Sequence, residues 1–111
     1  MMNISVHILD MADGRGATEV PIRLEREISP GQSIVVFVGT TLPDGRRMDL
    51  LPGEAPMGIY RMIIDSGAYF ARRDIVARFP RILITFRADQ DVNYHLPVYI
   101  GPHAFQTYRG S

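Results

Sequence analysis

The chain has no cysteine and no tryptophan among its 111 residues. Without cysteine there is no disulfide, no thiolate metal site and no cysteine nucleophile. It also lacks an excess of either charge, since twelve basic and twelve acidic side chains cancel. A neutral balance gives no global field to recruit nucleic acid or an acidic membrane. No apolar run approaches the roughly 20 residues of a membrane helix. The start, Met1-Met2-Asn3-Ile4-Ser5-Val6, has neither the basic end nor the long apolar stretch of a signal peptide. A cytoplasmic protein is the simplest expectation, and a periplasmic one without its leader would look the same. Also missing are a Gly-rich phosphate loop, a nucleophile elbow around a serine and the close histidine spacing of a helical zinc motif.

Short alternating segments between turn signals fill the chain. Ile4, Val6 and Ile8 face one way and Asn3, Ser5 and His7 the other, because strand side chains alternate. Val20, Ile22 and Leu24 alternate with Arg23 and Glu25. Residues 33–40 are β-branched and apolar, as in a well-buried strand. Pro43-Asp44-Gly45 makes a hairpin-like turn into a short strand near residues 47–51. Further strands are expected around residues 60–64, 82–87, 94–100 and 104–109, with Pro97 marking a bulge or an edge. Asp65-Ser66-Gly67 can cap the one helix, placed at about 67–74. Strands with turns at such spacing predict an all-β antiparallel sandwich in a single domain, residues 1–111.

The polar residues set against this pattern are the candidates for chemistry. His7 and His95 both lie on strand faces opposite the apolar sets, and they converge if their strands are neighbours. Arg46 and Arg47 follow the turn in opposite directions, so only one can enter a shared cleft. An arginine fork suits planar, oxygen-rich or anionic ligands. The chain ends on Tyr108-Arg109-Gly110-Ser111, a dense run for a terminus. Tyr108 and Ser111 offer hydroxyls, whereas Arg109 is expected on the face opposite Tyr108, as a structural residue. His103, in a turn after Gly101-Pro102, is expected to be exposed.

These residues also form a familiar set. Ile4-Ser5-Val6-His7-Ile8-Leu9-Asp10, Asp44-Gly45-Arg46, Gly58-Ile59-Tyr60-Arg61, Asp65–Phe70, Tyr94-His95-Leu96-Pro97 and the terminal tetrapeptide together resemble the 5-hydroxyisourate hydrolases, transthyretin-related enzymes of urate breakdown. The tail is the most specific piece, because the hormone-carrying transthyretins neither end this way nor have the two histidines. The resemblance implies a transthyretin-like sandwich of two four-stranded sheets and a homotetramer built as a dimer of dimers. It implies hydrolysis of a ring amide in 5-hydroxyisourate with no metal or organic cofactor. The catalytic positions it carries over are His7, Arg46, His95 and Ser111, with His7, Arg46 and Tyr108 binding substrate. Asn93 departs from the pattern, standing where members often have a second histidine. The alternative is a non-enzymatic carrier of a small aromatic ligand in the tetramer channel.

Overall fold

The structure, a computed structural model, describes residues 1–110; Ser111 lies outside the described residues. In chain order the elements are β1 (Asn3–Asp10), β2 (Arg15–Gly16), β3 (Pro21–Ser29), β4 (Gln32–Thr40), β5 (Arg46–Arg47), β6 (Gly58–Ile64), α1 (Ser66–Ala71), β7 (Ile82–Ala88), β8 (Asn93–Ile100) and β9 (Phe105–Thr107). They form two sheets. One has the order β2-β1-β8-β9, with β5 as a fifth strand also paired to β1, and the other runs β4-β3-β6-β7. The inward residues follow the alternation. Ile4, Val6 and Ile8 of β1 and Tyr94, Leu96, Val98 and Ile100 of β8 meet Ile22, Leu24, Tyr60, Met62, Ile64 and Ile82 of the other sheet in one apolar cluster. Each such side chain contributes roughly 1.5–3 kcal/mol by leaving water.

Several boundaries differ from the sequence reading. The first sheet has five strands, because Arg15-Gly16 and Arg46-Arg47 each pair briefly with β1 instead of forming a turn and a longer strand. Residues 50 and 51 belong to a loop that bonds back to β1, with Leu50 N donating to Ile4 O and Leu51 N to Asn3 Oδ1. β1 and β8 pair in parallel along their whole length. Parallel neighbours need a long crossover, and here the other sheet and the helix supply it. The helix is Ser66–Ala71, shifted toward its cap: the Asp65 carboxylate accepts from Ala68 N at 3.0 Å.

The largest reversal concerns β4. Its apolar, β-branched run suggested burial, yet Ile34, Val35 and Val38 are exposed, Val38 by 69%. β4 lies at a sheet edge, where only Val36 and Phe37 pack against the core. β-branching favours the pleated backbone wherever the strand lies; it does not say which layer covers it. Pro97 is likewise not on an edge strand. It sits between the Val98–Thr107 pair and the isolated His95–Gly110 bridge, where the ladder is interrupted and no backbone donor is needed.

Candidate active site

The outer face of the five-stranded sheet is built by register. His7 of β1 lies directly opposite Arg46 of β5 and, on its other side, level with Pro97 of β8. Ser5, one step earlier on the same face of β1, lies level with His95. Strand pairing thus gathers His7, Arg46 and His95 from positions scattered across the chain. Arg47 turns the other way: it pairs with Val6 and stacks its guanidinium 5.2 Å from the Phe37 ring centroid. Only Arg46 joins the histidines, in line with the opposite directions expected for the two arginines.

Each member of the cluster is held. Gly45 has φ +85, and a Cβ there would lie 2.3 Å from Ile8 O and 2.8 Å from Ala17 N. Only glycine lets the 42–45 turn press onto β1, and Ile8 N donates to Gly45 O at 2.8 Å to fasten it. The same turn presents Asp44 O to His7 Nε2 at 3.1 Å. A carbonyl only accepts, so Nε2 of His7 carries the proton and Nδ1 keeps its lone pair. Arg46 is 54% exposed and its nearest carboxylate, Asp44, is 3.6 Å away and equally open to water.

His95 is fixed from both sides. Ser5 Oγ lies 2.8 Å from His95 Nδ1, and Asn93 Nδ2 donates to the same Oγ at 3.1 Å. On the other side Gly110 N donates to His95 O at 2.8 Å. A Cβ on Gly110 would meet the ring, 2.9 Å from His95 Cδ2. Burial pushes the His95 pKa down, and the neighbouring His7 and Arg46 charges push it further in the same direction. The ring is therefore neutral at neutral pH. Two imidazoles beside a guanidinium can accept a proton, donate a hydrogen bond and stabilise an anion on one small surface. Among the described residues, no group of three or more His, Cys, Asp or Glu is placed to hold a metal ion.

A match to the HIUase/Transthyretin family model covers residues 4–110. The chain belongs to that family. Among its relatives is the 5-hydroxyisourate hydrolase of Salmonella typhimurium, 36% identical over 110 residues, which span 97% of this chain and 80% of the relative. The solved 5-hydroxyisourate hydrolase of Klebsiella pneumoniae superposes with a TM-score of 0.88 at 34% identity, covering 100% of both chains. Transthyretin from Sparus aurata superposes with a TM-score of 0.91 at only 22% identity, covering 97% of this chain and 96% of that one. That likeness establishes the transthyretin-like fold and nothing more.

Tyr108 is half exposed. It lines a cavity of about 290 Å³ with Arg109, Tyr94, Leu96, Ile84 and Phe86, among residues whose β8 members face inward. Tyr108 and Arg109 do not alternate as expected, since β9 ends at Thr107 and strand parity no longer applies. Both line the cavity, and the Arg109 guanidinium lies 5.0 Å from the Tyr94 ring centroid. His103 is exposed in a bend. Ser5 is the member that sequence reasoning did not single out, and Asn93 entered there only as a departure from the family's pattern. Ser5 shared the His7 face by parity, but which residue it meets depends on the β1–β8 pairing.

Proposed function

We propose that this chain hydrolyses the ring amide of 5-hydroxyisourate to 2-oxo-4-hydroxy-4-carboxy-5-ureidoimidazoline, in urate breakdown. The observation that carries the reading is the His7–Arg46–His95 cluster, whose guanidinium has no buried counterion among the described residues, in a chain whose full-length relatives bear that enzyme's name. In the reaction a water gives one proton to an imidazole as its oxygen bonds to the ring carbonyl carbon. The carbonyl oxygen takes up negative charge beside Arg46. As that charge returns, the C–N bond breaks and the nitrogen receives the proton the imidazole held. One water is consumed and the product gains a carboxyl group. Arg46 also holds the substrate's oxygens, and the Nδ1 lone pair of His7 accepts from the attacking water or a ring N–H.

Tyr108 and Ser111 complete this reading as substrate-binding and catalytic residues of the tail. Tyr108 meets the histidine cluster of another copy in a homotetramer formed as a dimer of dimers. The exposed apolar side chains Leu83 of β7, Phe105 of β9 and Phe79 in the segment before β7 support such pairing. The Phe79 and Phe105 rings already meet edge-to-face at 5.3 Å, joining the edges of the two sheets. The assembly works in the cytoplasm. No helix of the described residues is long and apolar enough to cross a membrane. Light scattering on a sizing column measures the assembly: a monomer at working concentration rules out the tetramer.

The activity itself is tested by adding the protein to freshly oxidised urate and following the ultraviolet absorbance of 5-hydroxyisourate. The decay should accelerate well beyond its spontaneous rate. No acceleration overturns the hydrolase and leaves the carrier of a small aromatic ligand.

A further inference from the structure

The hydrolase reading uses both histidines without dividing their work, and the hydrogen bonds around them make the division. We propose that Ser5 and Asn93 are positioning residues that hold His95 in the tautomer with its proton on Nε2, making it the hydrogen-bond donor of the site and leaving His7 as the base. The inference rests on that reading for its catalytic meaning, but not for its geometry.

The Ser5 side chain faces outward by strand parity, yet the residue is 0% exposed, covered between β5 and β8. A buried hydroxyl needs partners, since an orphaned one costs about 1–3 kcal/mol. The structure supplies two, Asn93 Nδ2 at 3.1 Å and His95 Nδ1 at 2.8 Å. An amide nitrogen only donates, so the Ser5 oxygen accepts from Asn93. Among the described residues the Ser5 proton then has one acceptor left, the lone pair of His95 Nδ1. A ring nitrogen that accepts cannot carry the proton in the neutral form, so the proton sits on Nε2. The relay is directional: Asn93 sets Ser5, and Ser5 sets His95.

His7 is set in the opposite sense. Asp44 O accepts a hydrogen bond from His7 Nε2–H, which leaves Nδ1 as the lone pair on the neutral ring. The two imidazoles therefore offer unlike groups, a basic Nδ1 on His7 and an N–H on His95. A neutral imidazole N–H beside a guanidinium suits the developing oxyanion, a use of histidine that depends on its staying uncharged. Burial, His7 and Arg46 all keep His95 uncharged. His7 then takes the water proton and returns it to the leaving nitrogen.

Nitrogen-15 NMR of the imidazole side chains, recorded without substrate at neutral pH, tests the tautomer directly. In the wild type His95 should show a pyridine-like Nδ1 and a pyrrole-like Nε2. Ser5→Ala should give a mixture of tautomers, with kcat down about tenfold, the value of one net hydrogen bond, and KM little changed. Asn93→Asp is the sharper variant, a near-isosteric change on an exposed residue. A carboxylate only accepts, so Ser5 must turn its proton toward the new carboxylate and its lone pair toward His95, forcing the proton onto Nδ1. A role in stability alone cannot produce that reversal. A wild-type His95 with its proton on Nδ1, or an Asn93→Asp protein with the wild-type tautomer, overturns the proposal. If the tautomers behave as stated but 5-hydroxyisourate is not hydrolysed, the hydrolase reading fails and the relay stands.

Discussion

The outer faces of the two sheets both carry charged side chains, and they dispose of that charge in opposite ways. On the four-stranded sheet Glu25 is nearly buried between two arginines, 2.7 Å from Arg61 and 3.0 Å from Arg23. The carboxylate is shared, the charges close on each other, and little remains for a ligand to satisfy. On the five-stranded sheet the carboxylate beside Arg46, among the described residues, is the solvated one of Asp44. The polar side chains of this sheet are instead tied to neutral partners, a serine, an asparagine and a backbone carbonyl. A face that neutralises itself adds to stability. A face held in place by neutral hydrogen bonds keeps its positive charge for something else, and an oxygen-rich ring is such a partner.

The comparison breaks first at His95. His95→Ala should lower turnover of 5-hydroxyisourate by about 10²–10³-fold, the usual worth of a donor to a developing oxyanion, with no loss of melting temperature. Full activity in that variant removes His95 from the mechanism. Next in size is the end of the same sheet's central strand, where β1 switches to the self-neutralising pattern. The Asp10 carboxylate is fully buried and accepts from Tyr69 OH at 2.7 Å, Arg73 Nη1 at 2.9 Å and the Ala12 amide at 2.8 Å. Burial alone raises its pKa, but the Tyr69 hydroxyl, the amides of Ala12 and Asp13 and the Arg73 charge together bring it below the ordinary carboxylate value. The same contact pushes the Tyr69 phenol up to about 12, after burial as the larger cause.

Asp10→Asn should cost about 2–3 kcal/mol in urea unfolding at pH 7, less than a fully buried pair because Arg73 reaches solvent. A depressed carboxylate stabilises the fold above its unfolded pKa, about 3.9, and that stabilisation fades as pH falls through the lower folded value. Wild type and variant should therefore converge in acid, and a gap that stays constant below pH 4 contradicts the assignment. Smaller again is Gly110→Ala. Its methyl must displace the His95 ring, so turnover should fall about tenfold, equivalent to roughly 1.4 kcal/mol, while the melting temperature holds. Unchanged turnover means that the ring position there does not matter.

How much of this was legible in the sequence depends on whether an answer lay within a strand or between strands. Parity along β1 and β8 placed His7 and His95 on outward faces, and the opposite directions of Arg46 and Arg47 left only one for the cleft. These follow from a two-residue period that each segment carries itself. That β1 pairs β8 in parallel follows from no local signal, and it alone puts Ser5 beside His95. The exposed β4 failed for a related reason: Val35 and Val38 favour a strand, but whether that strand is central or at an edge is decided by the others. Tyr108 and Arg109 misled because parity was carried past Thr107, where the ladder stops.

The smallest effect isolates the quiet face. Glu25→Gln keeps the shape of the side chain and removes the one charge that Arg23 and Arg61 share. Both arginines are about half exposed, so water screens the repulsion and the cost should be about 1 kcal/mol. Arg61 adds something, because its Nε is buried with no hydrogen-bond partner among the described residues and relies on the carboxylate to hold the guanidinium in place. The expected result is a lower urea midpoint with an unchanged slope, since the surface exposed on unfolding does not change. Raising the salt concentration should narrow the gap, because the pair is partly exposed. Turnover should be that of the wild type, as Glu25 lies on the opposite sheet from His7 and His95. If Glu25→Gln instead lowered kcat as His95→Ala does, the two faces would be coupled through the core, and the separation of a structural face from a reactive one would not hold.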